Sequence, residues 1–176
     1  MSTQESPSLA SIQALLDKQA IYENMMLYIR GQDRKDLDLM KSTFWPDATE
    51  HHGAFIGTGH DFCDWAYETH KVTQHRALHH CGNTLIELDG HRAKRETVFM
   101  YVRIEETRTT ILSGRYRDLC EKRGDEWKVL RRVVISDWAQ ELGPNADYKE
   151  LFGHLPSAHF GAPFPQDSIY GDWDEL

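Results

Sequence analysis

No apolar run in the 176 residues reaches the length of about 18 that a membrane-spanning helix needs, so no span is expected. Basic charge is in short supply: 20 Lys and Arg stand against 28 Asp and Glu, for a net charge of -8. Such a chain has no basic surface to offer a phosphate backbone, which argues against nucleic acid as a partner. The opening "MSTQESPSLA" has neither a basic n-region nor an apolar h-region, so a secretory signal is not expected. Cysteine is scarce and odd in number: Cys63, Cys81 and Cys120 follow no metal-like spacing. Reduced thiols in a cytoplasm are the simplest reading. Internal repeats, a Gly-rich phosphate loop, HExxH and CxxC are all absent.

What is present is an ordinary globular composition, 40% apolar and 27% charged, with ten histidines among the polar residues. The length suits one domain with a real core. Residues 1–7 read as disordered. From Ser8 the pattern turns helical, with Leu15, Tyr22, Met26 and Ile29 on one stripe and Gly31 as a helix end. If the helical phase persists past Gly31, Asp33 joins that stripe; otherwise it is a solvated residue of the loop "GQDRKD". A short helix fits "KDLDLMKSTF". Pro46-Asp47 then opens a loop, and "TEHHGAFIGTG" reads as a small irregular β segment. A third helix fits "HDFCDWAYETHKV". Four β segments follow, at 77–88, 92–106, 108–121 and 126–138, with Asp89-Gly90 and "KRGDE" as turns. Helices first and an antiparallel meander second argue an α+β fold, with helices on one face of a curved sheet. The segment 140–176 is too aromatic for a free tail and is expected to pack on the body or a neighbouring subunit.

Two positions draw attention as chemistry. In the last strand, Leu130, Arg132, Val134, Ser136 and Trp138 share one parity, and Trp127, Val129, Arg131, Val133 and Ile135 the other. Each row carries one Arg, which inside an apolar row needs an anionic partner. Pairing with acidic residues of adjacent strands satisfies that need as well as a functional role does. At the start of the 77–88 segment stand His79 and His80, on opposite parities. A strand histidine is commonly structural, yet imidazole is the side chain best matched to proton transfer near neutral pH, above all with a carboxylate to fix its tautomer. Asp33 is a possible partner. Glu50, His51, His52, His75, His79 and His80 could supply metal ligands, but no ligand spacing is met, so neither metal nor cofactor is expected.

The order of parts, "YIRGQDR", "FWPDATEHHGAFIG", a third helix with Trp65, "HHCGNTLIELDGHRA" and "GRYRDLCEKRGDEWKVLRRVV", resembles the SnoaL-like branch of the NTF2-like superfamily over residues 8–139. That branch holds polyketide cyclases, scytalone dehydratase, hexachlorocyclohexane dehydrochlorinase and bile acid 7α-dehydratase. The resemblance implies a cone of curved antiparallel sheet closed by three helices around an apolar pocket. It also implies a pair between Asp33 and His79, with His80 in its place if the register slips by one. Tyr28, five positions before Asp33, and Arg132, five after Trp127, match further pocket residues. The bile acid enzyme's Arg lies further along, where this chain has Ser136 and Asp137.

On this basis the expected activity is a cofactor-independent lyase of the dehydratase kind, or an isomerase. Its substrate would be a small, mostly apolar ring compound. His79 is the expected base, Asp33 its orienter, and Arg132 or Tyr28 the stabiliser of developing negative charge. Tyr22, Met26, Trp65, Phe99, Leu112, Trp138 and His80 are the expected pocket lining. Homo-oligomers, dimeric or trimeric, agree with two half-apolar faces on the last strand. The alternatives are a polyketide-cyclase-like enzyme, or a non-catalytic module resembling the β subunit of ring-hydroxylating dioxygenases.

Overall fold

The computed structural model describes residues 6–73, 76–143, 163–167 and 170–171. Helix α1 (Leu9–Arg34) starts at Ser8, whose hydroxyl accepts the Ser11 N–H at 3.1 Å. It ends at Lys35, which adopts the left-handed conformation with φ 58°. Helix α2 (Leu37–Ser42) follows at once, capped by the Asp36 carboxylate on the Leu39 N–H. Strands β1 (Phe44–His51) and β2 (Ile56–Thr58) precede α3 (Gly59–Thr73). Strands β3 (Arg76–Asp89), β4 (Arg92–Ile104), β5 (Thr109–Arg123) and β6 (Glu126–Leu142) form the meander. Both hairpin glycines, Gly90 and Gly124, take positive φ.

The six strands make one sheet in the order β2-β1-β6-β5-β4-β3. Pairing is antiparallel except between β1 and β6, which run parallel. The sheet is curved and unclosed, and the three helices pack on it, so the fold is α+β. Curvature has identifiable sources in three irregularities of the β3–β6 meander. In β3 the register shifts between Cys81 and Thr84. In β6, Leu130 and Asp137 each lack a register partner, since Val129 and Arg131 face Cys120 and Leu119, and Ser136 and Trp138 face Gly114 and Ser113. Each extra residue bends its strand and reverses the in-out alternation beyond it. The inner face of β6 therefore runs through Trp127 and Val129, then Arg132, Val134 and Ser136, so neither simple parity holds along the whole strand.

Three features of the sequence reading change here. Gly31 does not end α1; it is buried within it, where a Cβ would stand 2.7 Å from Met40 Cγ and 2.9 Å from the Met40 backbone nitrogen. Glycine is there so that α2 can lie against α1. Gly31→Ala should destabilise the fold by about 1–3 kcal/mol, read as a lowered urea midpoint, because the close neighbour includes backbone that cannot swing away. The buried stripe of α1 is also rotated from the one expected. Ile21, Met25, Tyr28 and Gln32 face inward, and Ile29 of the expected stripe is buried beside them, while Leu15 and Tyr22 are exposed. Pro46-Asp47 lies inside β1 rather than in a loop, at the place where its register with β6 shifts. The expected disorder of residues 1–7 and the packing of 140–176 fall largely outside the described residues. Within them, Phe164 N–H donates to Arg34 O, and Asp167 pairs with Arg34 Nε at 3.0 Å.

Candidate active site

Between the inner sheet face and α3 lies a cavity of about 280 Å³. Its apolar wall includes Phe62, Trp65, Phe99, Leu112 and Val134; its polar groups include Gln32, His52, His79, Arg103 and Ser136. Size and lining suit a small, mostly apolar molecule with a few fixed polar contacts.

The end of α1 meets the start of β3 here. His79 Nδ1 lies 2.6 Å from Asp33 Oδ1, with both side chains 7% exposed. The same carboxylate accepts the backbone N–H of His79, at 2.9 Å to Oδ2 and 3.2 Å to Oδ1. Asp33 thus holds the strand and the ring at once. A carboxylate on Nδ1 fixes the tautomer with its proton there and leaves Nε2 as the free nitrogen. The imidazole packs against Tyr101 at 4.5 Å between ring centroids. Burial pushes the Tyr101 hydroxyl up to about 12, and it raises Tyr116 as well, so both phenols face the cavity neutral near pH 7. Burial likewise pushes the Cys81 thiol up to about 11, which makes it a poor nucleophile.

A second imidazole lines the same cavity. His52 Nδ1 lies 2.8 Å from Glu50 Oε1, and its ring stacks on Phe62 with centroids 4.4 Å apart. Glu50 is 1% exposed, and its Oε2 has no hydrogen-bond partner among the described residues. Gln32 presents a similar feature. Its amide nitrogen donates to Tyr28 Oη at 2.7 Å, while its buried Oε1 lacks a partner among the described residues.

Of the residues expected at the site, His79, Trp65, Phe99 and Leu112 line the cavity, with Asp33 behind His79. Arg132 and Tyr28 do not. Arg132 is 1% exposed and gives Nε and Nη2 to Asp118 at 2.7 and 3.0 Å. Its guanidinium stacks over Tyr28 at 4.1 Å and over Tyr116 at 4.7 Å. Asp118 also holds the buried Arg95 at 2.6 Å, so the three charges form one cluster. The need of an inward Arg for an anion is met by this neighbouring strand. Tyr28 is fully buried beneath Gln32 and Arg132. Tyr22, Met26, Trp138 and His80 also fall outside the lining. Tyr22 and Met26 are displaced by the rotated stripe of α1, Trp138 is reversed by the bulge at Asp137, and His80 alternates outward from His79 and is exposed. His52, Gln32, Arg103, Tyr101 and Tyr116 were not singled out for the pocket by sequence reasoning. The only sequence signal for His52 was Glu-x-His at a strand end, which puts both side chains on one face.

Among the described residues no three His, Cys, Asp or Glu side chains are grouped as a metal would require; His75 lies outside them. No described helix is long and apolar enough to cross a membrane.

The SnoaL-like domain family matches residues 13–133. No curated protein matches the chain by sequence. Solved structures do. A protein of Novosphingobium aromaticivorans assigned as a scytalone dehydratase is 23% identical, with 76% of this chain and 92% of that one covered and a TM-score of 0.67. A type 2 hexachlorocyclohexane dehydrochlorinase is 17% identical, with 78% and 97% covered and a TM-score of 0.71. A protein of N. aromaticivorans assigned as the β subunit of an aromatic-ring-hydroxylating dioxygenase is 17% identical, with 71% and 92% covered and a TM-score of 0.59. At these identities the likeness shows the fold.

Proposed function

The chain belongs to the SnoaL-like domain family, and from that premise we propose that it is a lyase of the dehydratase kind, or an isomerase, acting on a small ring compound without a cofactor. The observation that carries this reading is the 2.6 Å contact between Asp33 and an imidazole whose other nitrogen is left to an apolar cavity. His79 Nε2 takes a proton from carbon, and Asp33 offsets the charge the ring gains. Neutral Tyr101 and Tyr116, with Arg103 at the wall, can donate hydrogen bonds to oxygen on the substrate. Dehydratase and dehydrochlorinase neighbours support this class of chemistry.

A binding module without chemistry, the alternative suggested by the dioxygenase β-subunit neighbour, has no use for such a pair. Exposed Leu9, Leu15 and Leu16 on α1 and Leu85 on the sheet support a homo-oligomer as part of this reading.

5-Nitrobenzisoxazole tests the base without knowledge of the natural substrate, because its ring opens on loss of one C–H proton. Asp33→Asn keeps the shape and removes the charge. Turnover of that probe should fall by about 100-fold relative to the parent chain. Equal turnover by the two proteins, both folded, would sink the reading.

A further inference from the structure

We propose that His52, held by Glu50, is a second catalytic residue of the cavity and protonates the leaving oxygen while His79 removes the carbon-bound proton. The inference rests on the reading of His79 as the base and adds the acid that an elimination of an oxygen leaving group requires.

The two pairs are built alike. Each imidazole gives Nδ1 to a carboxylate of a buried neighbour, at 2.6 Å for His79 and 2.8 Å for His52, and each lines the same cavity. They enter from separate elements: β3 supplies His79, and the residue after β1 supplies His52. The His52 backbone N–H is fixed on Phe55 O at 2.8 Å, and its ring lies flat on Phe62. Backbone, ring face and Nδ1 are therefore all held, which leaves Nε2 as the remaining polar atom of the side chain.

The carboxylates differ in a way that separates the roles. Asp33 accepts from both the His79 backbone N–H and its ring. Glu50 is fully buried, and its only side-chain hydrogen bond among the described residues is to His52. Arg132 faces Glu50 across the β1–β6 register and its charge acts on that carboxylate, while its hydrogen bonds go to Asp118. Asp33 divides its hydrogen bonding between a backbone N–H and the ring, whereas Glu50 gives its bonded oxygen to the His52 ring alone. With Nδ1 on Glu50, the His52 ring has Nε2 left for the cavity, the atom from which a departing oxygen can take a proton. Tyr116 on β5 is the other polar ring near His52, at 6.5 Å between centroids.

The step balances. The C–H electron pair forms the new π bond, the proton goes to His79 Nε2, the bond from carbon to oxygen breaks, and the departing oxygen takes the proton of His52 Nε2. Net, the substrate loses water, and one proton must return from His79 to His52 before the next turnover. A halide leaves without a proton, so the second pair marks an oxygen leaving group.

Two probes separate the acid from the base. 5-Nitrobenzisoxazole expels a weakly basic phenolate, and unsubstituted benzisoxazole a more basic one; in both, the N–O bond breaks as the C–H proton leaves. His52→Gln should lose about 100-fold more rate on the unsubstituted ring than on the nitro ring. Glu50→Gln should show the same preference, and thermal unfolding of each variant checks that it is folded. His79→Gln should lose rate on both rings. Equal losses on the two rings in folded His52→Gln would overturn the acid role while leaving the base intact. Parent chain that turns over neither ring faster than His79→Gln would remove the base, and the acid proposal with it.

Discussion

His79→Gln should lower turnover of 5-nitrobenzisoxazole by about 1,000-fold while the variant remains folded, within the range that positioned acid–base groups supply. Geometry accounts for so large an effect. The Nδ1 side of the ring is taken up by Asp33, so Nε2 is the one nitrogen left to meet a substrate. The amide of Gln can neither take a proton at that place nor reproduce the charge pair with Asp33. The structural cost should be modest, because the backbone N–H that Asp33 accepts survives the substitution. His79→Gly adds a control: free imidazole should restore part of the lost rate, which a purely structural histidine would not allow. A variant with parental turnover, or one that simply unfolds, would count against the base.

The largest expected effect on stability lies behind the cavity. Asp118→Asn should cost about 3–5 kcal/mol of folding free energy, read by urea unfolding, because it leaves Arg95 and Arg132 without their carboxylate while both are 1% exposed. That is a large share of the roughly 5–15 kcal/mol by which domains are stable. Replacing all three charged residues with apolar side chains of similar volume should cost less than the single change. The same cluster sets a pH dependence. Burial pushes the Asp118 carboxyl up, but the charges of Arg132 and Arg95 and their hydrogen bonds more than reverse this and hold it below the ordinary 3.8. A depressed folded value means that its stabilisation is present in full above about pH 4 and is lost as pH falls through the lower folded value. Acid unfolding of the parent chain should therefore steepen below about pH 4, and Asp118→Asn should remove that part of the dependence.

Much of the architecture was legible in the sequence for local reasons. Asp89-Gly90 and Gly124 mark turns that only a permissive backbone makes cheaply, and three helical patterns precede them. Other features depend on tertiary contact and left no local trace. Gly31 is spelled like a helix end and serves instead as a close crossing, which only the position of Met40 reveals. The stripe of α1 was assigned one residue away from Ile21, Met25 and Tyr28, because apolar residues occur on both sides of that helix. Bulges at Leu130 and Asp137 shift parity mid-strand, so alternation could not place Arg132 with Val129, nor turn Trp138 outward. The match of Asp33 to His79 came through resemblance, since the residues are 46 apart and no spacing rule joins them. Glu50 and His52 were weighed only as metal ligands; their pairing needed β1 to pack beside β6, which the sequence order does not announce.

The most direct test is the hydrogen isotope effect on turnover of 5-nitrobenzisoxazole deuterated at its reacting carbon, measured for the parent chain and for His79→Gln. The parent chain should accelerate ring opening, deuterium should slow the accelerated reaction markedly, and His79→Gln should lose the acceleration. Acceleration of equal size in His79→Gln, or a parent rate indifferent to deuterium, would contradict proton abstraction by His79.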